Sequence, residues 1–243
     1  MRMITNCEGG EVEIHVALVD SAGIPLKEYV VTGSDGYYIK HCWVPAVEGQ
    51  TFEIRWFGRG PESYDKLDIR VTPYLDGSEA NCGILFASER TKGQWGWLDG
   101  QQVGVDMVRP FKFGRAEFAE DDDLELGPYD DPFTIRIKLE WGWSQPQNDF
   151  DYSHHEFESP EFTSLLGREE ALSGNCTSVT LGEPVSACGV LETYSFRHQQ
   201  DLQSAEFVFQ YGPADWLQAY GINILPSSNA NEGAIDTNER DRN

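Results

Sequence analysis

Apolar and polar residues alternate strictly from Phe133 to Trp141, which reads Phe-Thr-Ile-Arg-Ile-Lys-Leu-Glu-Trp. A period of two puts Phe133, Ile135, Ile137, Leu139 and Trp141 on one face and Thr134, Arg136, Lys138 and Glu140 on the other. One dry side and one wet side is the signature of a strand in an antiparallel sheet. The same alternation buries Val12, Ile14, Val16 and Leu18 in one segment and Phe52, Ile54 and Trp56 in another. It returns at Leu67–Val71 and at Ala205–Tyr211; Tyr37–Val44, Phe111–Phe113 and Val190–Phe196 are also strand-like, and Cys82–Ala87 is a short apolar run. Turn chemistry separates these runs: Ser21-Ala-Gly-Ile-Pro25, Gly58-Arg-Gly-Pro61 and the hairpin pair Asp76-Gly77.

One helix is predicted, over about 213–220. Pro213 suits a first turn, Asp215 the positive N-terminal end and Gly221 the C-terminal cap. Trp216, Leu217 and Tyr220 share a face that should pack on a sheet. The pattern as a whole predicts an all-β, antiparallel β-sandwich or jelly-roll-like fold with this one short C-terminal helix. The reading of the chain is an N-terminal segment over 1–10, a single sandwich domain over 11–225 and a disordered acidic, polar tail over 226–243. Residues 144–175 lack sustained periodicity and read as a long polar insertion, with one helical turn near Glu161–Leu166.

Composition narrows the functional classes. The 243 residues include 13 Phe, 10 Tyr and 7 Trp, enough to build a core, and carry a formal charge of −23. Such a chain repels nucleic acid and anionic lipid, leaving a basic protein, a cation or a neutral ligand as partner. No stretch approaches the roughly 18 apolar residues of a membrane span, and the first ten residues lack the apolar core of a signal peptide. The expectation is a soluble, intracellular protein of cytoplasm or nucleus. Five widely spaced cysteines, with no Cys-x-x-Cys, imply neither a disulfide framework nor a zinc site, and Cys42 and Cys82 read as buried thiols.

Several blocks, taken in order, resemble one domain family. They are Leu26-Lys-Glu-Tyr29, Cys42-Trp-Val44, Gly49-Gln-Thr-Phe-Glu-Ile54, Asp76-Gly77, Arg109-Pro-Phe-Lys-Phe113 with Asp121-Asp-Asp123 behind it, Leu181-Gly-Glu183, Phe207-Val-Phe-Gln-Tyr211 and Asp215 to Ile222. The family is uncharacterised, of unknown function and abundant in mushroom-forming (basidiomycete) fungi, and the resemblance covers most of residues 11–225. Gly212, between Tyr211 and Pro213, departs from the Arg more usual there. The resemblance implies a fold and no activity.

Three constellations carry candidate chemistry. The acidic run Glu120-Asp-Asp-Asp-Leu-Glu125 lies in a stretch, 119–170, with 15 acids and 3 bases, a net −12. Its spacing is not that of a calcium-binding loop, so Asp121, Asp122 and Asp123 read as a contact surface for a basic protein partner. Trp95-Gly96-Trp97 lies among glycine and polar residues, so it reads as a loop. With Asp99 and Gln101 it offers rings and polar groups of the kind that stack and hold a sugar. His154-His155 reads as part of a mobile acidic loop, because adjacent side chains on an extended chain diverge. His15 and His41 have no local partner. There is no Gly-x-Ser-x-Gly elbow and no phosphate-binding glycine loop, so no catalytic residue, metal or cofactor is assigned. The sequence thus supports a non-enzymatic protein-interaction module, with a lectin-like carbohydrate-binding protein as the alternative and a hydrolase with a spatially assembled site as a third. Sandwich edges leave a homodimer open.

Overall fold

The computed structural model describes residues 1–7, 9–33, 38–118, 132–147, 165–166, 174–187 and 193–224. They form a β-sandwich. The first sheet is antiparallel throughout, in the order β1 (Arg2–Cys7), β2 (Gly10–Asp20), β5 (Phe52–Arg59) and β9 (Gly96–Leu98). A second sheet holds β10 (Gly100–Gln102), β11 (Met107–Arg115) and β15 (Thr177–Leu181), with β16 (Val185–Ser186) also on β11. An isolated Thr51–Lys112 bridge stitches it to the first. The largest sheet runs β3 (Tyr29–Thr32), β4 (Ile39–Pro45), β18 (Ala205–Gly212), β13 (Thr134–Pro146), β6 (Asp68–Leu75) and β7 (Ser78–Glu79). There β8 (Gly83–Leu85) also pairs with β6, and β17 (Tyr194–His198) with the far end of β13. Two-residue strands β12 (Glu117–Phe118) and β14 (Leu165–Leu166) pair in parallel.

Period-two patterning puts the core where it was expected. Ile14, Val16, Leu18, Phe52, Ile54 and Trp56 from the first sheet meet Ile69, Val71, Ile135, Ile137, Leu139, Trp141, Phe207 and Phe209 from the largest, all buried in one cluster. The second sheet adds Phe111, Phe113 and Val179, with Phe113 4.8 Å from Phe52 and 5.2 Å from Tyr211 between ring centroids. Burying this much aromatic area is the main stabilising term, at about 25 cal/mol per Å² of apolar surface.

Several local expectations change. Phe133 is not the first residue of its strand: it stands at φ +60°, half-buried, and the ladder begins at Thr134. Arg2–Cys7, read as a leading segment, is an edge strand with Met3 and Thr5 buried. Leu165–Leu166 is extended and paired with Glu117–Phe118, so the helical turn expected to end there is not found at those two residues. Cys42 is buried, but Cys82 is exposed.

The C-terminal helix spans Ala214–Ala219, inside the range expected, with Pro213 as its N-cap rather than in its first turn. Gly221 takes φ +91°, and the Ile222 N–H donates to Leu217 O (2.9 Å) while Gly221 N–H donates to Gln218 O (3.0 Å). Both bonds are those of a glycine-terminated helix end. Leu217 is buried with Ile222 and Ile224, and Tyr220 lies exposed with its ring stacked on Trp216. Among the described residues no helix is long and apolar enough to cross a membrane.

Candidate functional site

The outer face of the first sheet gathers aromatic and charged side chains in register. Reading across strands, Arg2 of β1 pairs with His15 of β2 and His15 with Phe57 of β5; Ala17 pairs with Arg55, and Arg55 with Trp97 of β9. Side chains opposite one another on antiparallel strands stand about 4.5–5.5 Å apart at Cβ, so each row is a line of contacts. Trp95, two residues before Trp97 and on the same side, packs on Phe57 (centroids 5.6 Å, planes 28° apart) and edge-on to His15 (5.9 Å, 63°). Trp95 is 46% exposed and Trp97 55% exposed.

Local sequence explains why two indoles face water here. Gly96 sits over the buried indole of Trp56: a Cβ at Gly96 would lie 2.2 Å from Trp56 Cε2. Gly83, on the neighbouring β8, is equally close, with its Cβ position 2.4 Å from Trp56 Cη2. The inward ring of Trp56 therefore needs glycine above it, and alternation then turns Trp95 and Trp97 outward. Gly96 and Trp97 belong to the edge strand β9 and not to the loop expected of them, and Trp95 immediately precedes it. Trp141-Gly142-Trp143 repeats the device differently, with Trp141 buried, Trp143 exposed and Gly142 passing beneath Arg197 O.

The other residues of the sequence-derived cluster lie elsewhere. The chain leaves the first sheet after Leu98 and enters the second at Gly100, making Asp99 the corner. Asp99 O accepts from Phe111 N–H (3.0 Å), and burial raises the pKa of its carboxyl. Gln101 is 4% exposed and exchanges hydrogen bonds with Asn81, accepting from its N–H at 3.0 Å and donating to its side-chain oxygen at 2.5 Å. Its amide is thus committed inside the fold. Asp121, Asp122, Asp123, His154 and His155 lie outside the described residues.

Electrostatics on the outer face centre on Glu13. Its carboxylate, 9% exposed, accepts from Arg2, Arg59 and His15 (2.9 Å for His15). Burial pushes its pKa up, but the three hydrogen bonds, with the Arg2 charge, outweigh it and hold the group at about 2. Arg55 is clamped by Glu53 at 2.8 and 3.0 Å. The rings are therefore bordered by charges that already have partners. His15, which the sequence left without a partner, is held between Glu13 and Trp95; the alternation marked it as outward but not what it would touch.

A groove of about 510 Å³ opens beside Trp95, over Ala17 and between His15 and Pro25–Leu26. A second cavity, about 580 Å³, lies among Asn81, Cys82, Phe86, Gln147, Thr193 and Tyr194, bordering stretches outside the described residues. Among the described residues no group of three or more His, Cys, Asp or Glu is placed to hold a metal ion.

A family model described as "Domain of unknown function (DUF7918)" matches residues 11–224. No curated protein and no solved structure matches the chain.

Proposed function

Since the chain belongs to this family, whose function is unknown, its own surface must supply the reading, and we propose a non-enzymatic binding module that holds a carbohydrate on the outer face of the first sheet. The observation that carries it is the pair of exposed indoles, Trp95 and Trp97, turned to one side of a sheet by Gly96, with Trp95 also packed on Phe57 and His15. An indole face offers a flat apolar platform to the C–H side of a pyranose ring, and the ordered sheet beneath it lowers the entropy cost of binding. The test is a glycan array probed with the wild-type protein and with Trp97→Ala. Hits that disappear in the variant support the platform; an array without hits removes it.

A second reading rests on the net −12 between residues 119 and 170. Concentrated charge of one sign steers a basic protein partner to its surface, and salt weakens the attraction. Asp121, Asp122 and Asp123 are its contact residues. Salt-sensitive capture of basic partners that the triple Asp→Asn variant loses supports it; equal capture by that variant counts against it.

A further inference from the structure

We infer that the groove beside Trp95 is a subsite of the same carbohydrate face and that it selects the acetamido group of a linear 2-acetamido-sugar oligomer, a proposal that rests on the platform reading above. Ala17 is the smallest side chain in the outward rows of β2, between His15 and Val19, and it makes a dip in the sheet. Trp95 forms one wall. The other is Pro25–Leu26, and its position is fixed: Val19 bridges to Pro25, Leu26 N–H donates to Leu18 O (2.8 Å), and the Asp20 carboxylate accepts from Ala22 N–H and Ile24 N–H (2.9 Å each). The groove is therefore built before a ligand arrives.

Its chemistry is part apolar and part polar. Ala17, Pro25, Leu26 and Trp95 supply apolar lining; Arg2, His15 and Glu28 supply its polar groups. Arg2 and His15 are engaged by Glu13. Ala17, Pro25, Leu26 and Trp95 carry no charge, so a charged group pressed onto them would be desolvated without a partner, and the group that enters the groove is neutral. A sugar hydroxyl pressed onto the lining would lose its water without gaining a hydrogen bond. A methyl group loses nothing there, and an acetamido substituent delivers one while its N–H and C=O reach the polar groups. Trp95 and Trp97 are two residues apart on one side of the sheet, about 7 Å at ~3.3–3.4 Å per residue, a span longer than one pyranose ring that suits an oligomer more than a single monosaccharide.

The experiment is isothermal titration with chitotetraose and with cellotetraose, two chains of the same linkage that differ at the 2-acetamido group. The wild type is expected to bind chitotetraose about tenfold or more tightly, the discrimination that one methyl group earns in an apolar pocket. Ala17→Gln, which fills the dip, should bring the ratio of the two affinities toward one; Leu26→Ser removes part of the opposite wall and should act in the same direction. Circular dichroism melts confirm that each variant is folded. Equal affinity for the two sugars, lost in Trp97→Ala, overturns the subsite and leaves the platform standing. Binding to neither sugar overturns the subsite, and the platform then stands or falls with the glycan array.

Discussion

The Tyr211 hydroxyl donates to the carboxylate of Asp76, its oxygen lying 2.6 and 2.5 Å from the two acceptor oxygens across 135 residues of chain. Asp76 occupies the two-residue turn between β6 and β7 at φ +47°, and its carboxylate also accepts from Thr134 N–H (3.1 Å) and Val179 N–H (2.8 Å). One side chain thus ties a hairpin turn to β13, β15 and β18. Burial, then the Asp76 charge and hydrogen bond, push the Tyr211 pKa well above its usual value.

Removing that hydroxyl leaves Asp76 with its backbone donors, so Tyr211→Phe is expected to cost about 1–3 kcal/mol in urea denaturation. Asp76→Ala orphans two backbone N–H groups as well as the hydroxyl and places alanine at a left-handed φ. It should cost clearly more than Tyr211→Phe.

Acid should weaken the first sheet through Glu13. Its folded pKa of about 2 lies below the ordinary 4.5, so the ionised carboxylate contributes stability that is fully present above about pH 4.5 and is lost as pH falls toward 2. Glu140 acts with the same sign: burial raises its pKa, but Arg70 (2.5 Å) and Lys138 (3.0 Å) bring it below the usual value. Thermal melts from pH 6 to pH 2 should show a smaller fall in Tm for Glu13→Gln than for the wild type. Parallel curves for the two proteins would contradict the linkage.

Gly96→Ala should be destabilising by about 1–3 kcal/mol, because its Cβ would enter the space of the Trp56 indole. Chemical denaturation reads the loss. Near-ultraviolet circular dichroism should change with it, since Trp56 must move. An unchanged melt would mean that Trp56 repacks freely.

Arg90 is buried under Trp141, 5.1 Å from its ring centroid, and donates to Tyr64 O (2.6 Å), Leu67 O (3.3 Å) and Gly58 O (3.4 Å). Burial lowers its pKa, with the charges of Asp65 and Asp68 opposing. A lysine ammonium cannot reproduce this planar fork, so Arg90→Lys is expected to cost about 1–3 kcal/mol by thermal or chemical denaturation.

How much of this was legible depended on whether the cause was local. Alternation assigned Ile135, Ile137, Leu139 and Trp141 to the core because a side chain's face follows from its place in the strand. It misassigned Phe133 because that residue's φ is set by distant partners: Tyr211 N–H donates to Phe133 O (3.0 Å), and Asp76 receives the next N–H. Asp76-Gly77 announced a hairpin, and Tyr74 does pair with Glu79 and Leu75 with Ser78. Its carboxylate's role stayed hidden because Tyr211 and Val179 are far away in sequence. Trp95 and Trp97 were named as a pair; their orientation depended on Trp56 passing beneath Gly96. Gln101 looked like a neighbour by spacing, but the chain changes sheets at Asp99.

The parallel pairing of β4 with β18 sets Ile39 to Pro45 beside Glu206 to Gly212, in the middle of the largest sheet. A nascent chain leaving the ribosome must therefore hold β4 without its neighbour until Gly212 has emerged, and the slot between β4 and β13 stays empty until then. Such a topology is slow to form and exposed to aggregation while it waits. Any fragment that stops short of Ala205 should be a poor substitute for the whole, however complete its other strands.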